Sequence, residues 1–157
     1  HRKVPGGYFR FIGERESNNL NTSDKKWISY AGWNSKFSNS IPLPMQRATI
    51  DQYCSKFNIK INDYQFENEY NDWFPGLEKY ITGYNIDGIV ICSIYCLPDN
   101  QERRVELLNL AVENNIELRF ANELTSVKSK KDIEHIENIF EYVNENTDPN
   151  IEAKIKL

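Results

Sequence analysis

Ile86-Asp87-Gly88-Ile89-Val90-Ile91-Cys92-Ser93-Ile94 is the stretch that decides the fold. Ile86, Ile89, Val90, Ile91 and Ile94 form a nearly unbroken β-branched series. A strand with one wet face alternates apolar and polar residues, whereas a parallel strand covered on both faces reads as a continuous apolar run. The stretch therefore predicts a buried central strand over Ile86–Ile94, the third of four.

Outward from it, short apolar runs alternate with helical patterns. Trp27–Ala31 reads as the first strand and Ile59–Ile61 as a short second one, followed by a polar connection, Asn62–Asp72. Ile116–Phe120 reads as a fourth strand; it alternates Ile116, Leu118 and Phe120 with Glu117 and Arg119, so it belongs nearer an edge. Between them the spacing predicts a helix over Leu43–Phe57, with Pro44 in its first turn, where a missing N–H costs little. A second helix is predicted over Trp73–Thr82, with Asp72 as N-cap and Gly83 at its stop. A third starts at Asp99 or Asn100 and ends at Asn114-Asn115. A fourth covers Asp132–Glu145, with Ile133, Ile136, Phe140 and Val143 as its buried stripe. Short links joining β-α-β-α-β-α-β-α imply right-handed crossovers and a parallel sheet. The expectation is a three-layer, doubly wound α/β fold with a mostly parallel, four- to five-stranded sheet of flavodoxin- or resolvase-like type, order 2-1-3-4. Domain organisation reads as a basic N-terminal extension over 1–26, an α/β domain over 27–147 and a C-terminal tail over 148–157. The tail's alternation (Ile151, Ala153, Ile155, Leu157) allows an edge strand or a homodimer contact.

Charge and cysteines narrow the function classes. Nineteen Lys and Arg against 23 Asp and Glu leave a net −4, unevenly distributed. Residues 1–26 carry six cations (Arg2, Lys3, Arg10, Arg15, Lys25, Lys26) against three carboxylates, so the body is acidic. An acidic body repels phosphate backbones, and the reading therefore disfavours nucleic acid as a partner. No apolar run is long enough for a membrane span and no basic-then-apolar leader opens the sequence; a cytoplasmic protein is expected. Cys54, Cys92 and Cys96 fit a reducing compartment. On a continuous strand Cys92 and Cys96 would lie about 13 Å apart, beyond disulfide reach. No CxxC occurs, and no metal site or cofactor is assigned. His135 falls off its helix's buried stripe, so carboxylates, hydroxyls and amides are the candidates for any chemistry.

Parallel sheets hold ligands beyond the carboxyl ends of their strands, at the switch between strands one and three. That geometry selects Gly32–Ser40, Asn62–Asp72, Ser93–Pro98 and Ala121–Thr125. Asn34, Ser35 and Ser38 would offer hydroxyls and amides to a sugar or phosphate group. No GxGxxG or GxxxxGK[ST] is present, so the dinucleotide and P-loop readings fail. Glu67 and Glu69, with Tyr70 beside them, suit a sugar's hydroxyl edge and apolar face. Ser93 and Tyr95 close strand three, and Gln46 of the first helix is counted with them among the substrate-binding candidates. Glu123, at the end of strand four, is the expected acid/base, with Glu67 as second catalytic carboxylate.

Several segments carry a resemblance. Ile41-Pro42-Leu43-Pro44-Met45-Gln46-Arg47 with Tyr53-Cys54, Phe66-Glu67-Asn68-Glu69-Tyr70, Asp87–Pro98 and Leu118-Arg119-Phe120-Ala121-Asn122-Glu123 occur in that order. Together they resemble the small sporadic carbohydrate-cluster proteins of bacteria, over about residues 27–143. The resemblance implies surface-carbohydrate biosynthesis of the O-antigen or capsule type. The segment Asn34–Ser40 departs from that family's pattern, which has arginine and glycine before the Ile-Pro. A second resemblance is to the catalytic domain of serine recombinases, through a strand–loop–helix opening with Gln46, Tyr53 and Cys54. The arginines expected there are absent: Gly32 and Tyr95-Cys96-Leu97-Pro98 stand in their places. A phosphodiester exchange would then lack its main charge stabilisation.

Three expectations follow. The first is a surface-carbohydrate protein that binds a sugar, sugar phosphate or nucleotide sugar. The second is a non-catalytic domain partnering a sugar-modifying enzyme. The third is a recombinase-like nucleic-acid enzyme.

Overall fold

Trp27–Asn34 forms the first strand (β1), and its two faces differ as the pleat requires. Ser29 and Ala31 line a groove against the first helix, whereas Tyr30 turns to the opposite face and meets Tyr80 edge-on, with ring centroids 6.1 Å apart. The computed structural model describes residues 24–34, 41–69 and 71–146. In it β1 is followed by α1 (Leu43–Phe57), β2 (Ile61–Glu69), α2 (Pro75–Gly83) and β3 (Gly88–Ile91). Then come a 3-10 turn (Ile94–Cys96), α3 (Gln101–Glu113), β4 (Glu117–Phe120), β5 (Thr125–Val127) and α4 (Lys130–Asn146).

The sheet order is β2-β1-β3-β4-β5. The first four strands run parallel and β5 pairs antiparallel with β4. This is the mostly parallel α/β sheet expected, with the predicted 2-1-3-4 order intact and one hairpin strand added. β3 lies at the centre with all four residues buried, as its unbroken apolar run requires. Trp27, Ile89, Ile91, Leu118 and Phe120 are wholly buried around it. Gly88 is there because of space: a Cβ would stand 2.6 Å from the Trp27 ring and 3.0 Å from the Glu117 carbonyl oxygen. α1 covers the Ser29 face, α2 and α3 adjoin each other on the Tyr30 side, and α4 packs on α3 and β5.

Several local expectations need correction. The second strand is nine residues long and takes in most of the stretch read as a polar connection. Tyr64 and Phe66 line the α1 groove while Asp63, Gln65 and Glu67 alternate with them. An edge strand with a wet face carries few apolar residues, so its signal is weak. Helix two starts at Pro75, and its N-cap position is Phe74 in the left-handed region (φ 55°). Asp72 instead accepts the backbone N–H groups of Asp99 and Asn100, at 2.9 and 2.8 Å. The third strand stops at Ile91, three residues before the expected end, because the chain turns at Ser93 into the 3-10 segment.

Arg103 and Arg104, adjacent cations of α3, are both buried. The Arg103 guanidinium bonds Glu78 of α2 at 2.6 Å, Glu106 at 2.9 Å and the Trp73 carbonyl at 2.6 Å. Arg104 grips Glu137 of α4 through two nitrogens, at 2.7 and 2.6 Å, and stacks 3.7 Å from the Phe140 ring centroid. Buried guanidinium groups persist only when their donors are matched in this way. Asn100, one of the two residues expected to start this helix, sets the phase of α3 by accepting the Arg103 N–H at 2.9 Å as its N-cap. The basic extension and the tail over 148–157 lie outside the described residues, apart from 24–26.

Candidate functional site

At the carboxyl ends of β1, β3 and β4 the chain assembles a connected polar cluster. Gln46, fully buried on α1, accepts the Gly32 N–H at 3.3 Å and donates to the Gly32 and Ile41 carbonyls at 2.9 and 2.8 Å. It thus clasps both ends of the connection between β1 and α1. The Cys96 thiol donates to Gln46 Oε1 at 3.6 Å. Asn122 of the β4 tip reaches Cys92 Sγ at 3.7 Å.

Next to the thiols stands Glu123. It accepts the Ser93 hydroxyl at 2.7 Å and the Ile94 N–H at 3.0 Å, and Ser93 Oγ accepts the Tyr95 N–H at 3.1 Å. The carboxylate and hydroxyl together cap the 3-10 turn, satisfying donors that a three-residue helix leaves open. Tyr95 projects half exposed and packs edge-on against Phe140, centroids 5.1 Å apart. Burial raises its phenol pKa, and the Glu123 charge raises it further.

Glu67 belongs to a different cluster. It accepts the Tyr30 hydroxyl at 2.6 Å and the Gly76 and Leu77 N–H groups at 2.6 and 3.1 Å. It therefore caps α2 on the Tyr30 face, at the positive end of a helix. It shares none of these partners with Glu123, which lies with Gln46's cluster. Asn34 and Glu69 pair backbone to backbone at the ends of β1 and β2. Ser35, Ser38 and Tyr70 lie outside the described residues. The structure thus brings Gln46, Ser93, Tyr95 and Glu123 together and sets Glu67 apart.

The sequence reading missed the thiols. Spacing Cys92 and Cys96 along one extended strand treats them as parts of one element, but the strand ends at Ile91 and Cys96 lies in the 3-10 turn that follows Ser93. The hydrogen bond from Cys96 lowers the Cys92 pKa against the effect of burial, and Thr49 adds to the lowering. Cys96 is correspondingly raised, first by the same hydrogen bond and then by burial. Ser93-Ile94-Tyr95 ahead of Leu97-Pro98 was the available signal, since a serine before a short helical turn is a capping pattern. Among the described residues no cluster of His, Cys, Asp and Glu is arranged to hold a metal ion, and no helix is long and apolar enough to cross a membrane.

No family model matches the sequence, and no curated protein matches it. Solved structures do. The N-terminal catalytic domain of TP901-1 integrase superposes with a TM-score of 0.56 over 85% of this chain and 100% of that one, at 16% identity. A resolvase family site-specific recombinase from Streptococcus pneumoniae gives 0.54, over 83% of this chain and 97% of its own, at 15% identity.

The fold is resolvase-like. The resemblance to serine recombinase domains is thereby shown at the level of architecture, whereas the carbohydrate-cluster resemblance finds no match. The neighbours overturn the functional expectations built on the latter. Surface-polysaccharide biosynthesis, a sugar or sugar-phosphate ligand and a sugar-modifying partner enzyme are withdrawn. The reading that set nucleic acid aside as a partner is withdrawn with them. That reading weighed the net charge of a whole body, a quantity that says little about any one face.

Proposed function

We propose that this chain acts in site-specific DNA recombination as a resolvase-fold domain that binds DNA without itself exchanging strands. The observation that supports the reading is the pairing of a complete recombinase-type sheet with an anionic tip. Where phosphodiester exchange calls for clustered cations, the tip presents Glu123, Ser93, Gln46 and two thiols. Among the described residues no lysine or arginine side chain hydrogen-bonds into that cluster. Without a guanidinium beside it, a serine attack on phosphorus has nothing to offset the charge that develops. DNA contact falls instead to the basic segment, through Arg2, Lys3, Arg10 and Arg15, which meets the backbone by counterion release.

The test combines two assays on the full chain. Fluorescence anisotropy with a duplex at low salt is expected to show binding that weakens steeply as salt rises. Binding should fall when Arg2, Lys3, Arg10 and Arg15 are replaced by glutamine. Incubation with supercoiled plasmid is expected to leave it closed, with no covalent protein–DNA adduct. No binding at low salt by folded protein overturns the DNA reading; a serine-linked adduct overturns the non-catalytic one.

A further inference from the structure

We propose that the outer edge of β2 is a docking site for this chain's own segment Ile151–Leu157, which adds to the sheet as a strand. β2 stands at one margin of the sheet and, among the described residues, pairs with β1 alone. Over Asn62–Glu67 every second residue of such an edge turns its N–H and C=O outward, the template for a further strand. The opposite margin differs: β5 has three residues, and α4 packs on it. The two sides of β2 also carry different chemistry. Toward α1, Tyr64 and Phe66 are about half exposed and, with Leu43, Pro44 and Arg47, line a groove of about 360 Å³. On the Tyr30 side stand Asp63, Gln65 and Glu67, with the Gln65 amide donating to Asp63 at 2.6 Å. β2 holds three carboxylates and no cation.

Ile151–Leu157, outside the described residues, has the complementary pattern in its sequence. Ile151, Ala153, Ile155 and Leu157 alternate with Glu152, Lys154 and Lys156. Paired in the phase that lays its apolar side on Tyr64 and Phe66, it turns both lysines toward the Asp63 side. Opposite charges on neighbouring strands favour pairing, and like charges directly opposite oppose it. The same rule disfavours a second copy's β2 as the occupant, since antiparallel self-pairing about Gln65 sets Asp63 opposite Glu67. Tyr8-Phe9-Arg10-Phe11-Ile12, another apolar stretch outside the described residues, does not alternate. α4 delivers the chain to the carboxyl ends of the strands: Phe140 packs on Tyr95 just beyond β3, and β3 lies two strands from β2. Docking closes the long edge of the sheet to other chains.

Amide hydrogen exchange of the full chain tests this. In the wild-type protein the amides of Asn62–Glu67 that point away from β1 should exchange slowly, and equally slowly on dilution. Lys154→Pro/Ile155→Pro removes two N–H groups from the segment and should speed that exchange about tenfold while β3 keeps its protection. Lys154→Glu/Lys156→Glu should also speed it, and adding Asp63→Lys should restore part of the loss. Unchanged exchange in either the proline or the charge-reversed variant overturns the proposal. Protection that fades on dilution assigns the edge to a second copy, and protection lost in Phe9→Pro/Phe11→Pro instead assigns it to the N-terminal segment; either result overturns the proposal as well.

Discussion

The Ser93 hydroxyl gives its proton to Glu123 Oε2 at 2.7 Å while the same oxygen accepts the Tyr95 N–H at 3.1 Å. One serine therefore links the β4 tip to the turn that ends β3. Glu123→Ala removes the acceptor of both the Ser93 hydroxyl and the Ile94 N–H. It should lower unfolding free energy by about 2 kcal/mol, the cost of leaving such donors unmatched. Glu123→Gln keeps an acceptor and should lose about half as much. Urea titrations followed by tryptophan fluorescence measure both.

Arg104 is matched to Glu137 by two short bonds in a buried setting. Arg104→Ala strands that carboxylate, and the expected loss is about 3 kcal/mol. Arg104→Lys restores a charge but not the paired geometry or the stacking on Phe140, so it should recover only part of the loss. The midpoint of urea unfolding should move, with the slope unchanged.

Glu67 closes the N-terminus of α2 against β1. Glu67→Ala leaves the Gly76 and Leu77 N–H groups and the Tyr30 hydroxyl without their acceptor. The expected destabilisation is about 2 kcal/mol, whereas Tyr30→Phe, which removes one of the three bonds, should cost about 1 kcal/mol. Amide exchange should quicken at Gly76 and Leu77 in the first variant and stay near wild type in the second.

Cys54 gives a pH dependence with a definite sign. Burial, helped by the Asp51 charge and opposed by Arg119, pushes its thiol from 9.0 to about 11. The unfolded thiol ionises first as pH rises, so the unfolded state holds fewer protons over that interval. Stability should be complete below the unfolded value of 9.0 and decline as pH climbs toward about 11. Comparing unfolding midpoints of wild type and Cys54→Ala across this range isolates the effect; the variant should show the shallower fall.

Gly88→Ala drives a methyl group into the Trp27 ring and the Glu117 carbonyl, neither of which can move without shifting a strand. The expected cost is about 3 kcal/mol, at the upper end for overpacking. Thermal unfolding checks it.

Much of this architecture is visible in the residue pattern, and the misses share a cause. The ends of α1 match the expected Leu43–Phe57, and the start of α3 falls at one of the two residues expected, because both are local signals: a proline in the first turn, a short polar side chain before a helix. β3 was found by its unbroken burial. β2 was cut short because a strand at a sheet edge owes its pairing to β1, not to its own apolar content. The burial of Arg103 and Arg104 has no local signal because their carboxylates, Glu78 and Glu137, are distant in sequence. The tip cluster divides similarly. Topology places Ser93 and Glu123 near one another, but whether Glu67 joins them depends on which face of β2 it occupies. A one-residue change of phase moves a side chain to the other face, and a strand read as ending at Ile61 carries no phase to read.

Consecutive residues of a helix point about 100° apart, and Arg103 and Arg104 use that angle to reach two different helices. Their tethers therefore depend on counting as well as on chemistry. One residue inserted between Asn100 and Arg103 would swing both side chains off their targets together, unfastening α2 and α4 in a single event. Positions 101 and 102 can be expected to accept many replacements and no change of length.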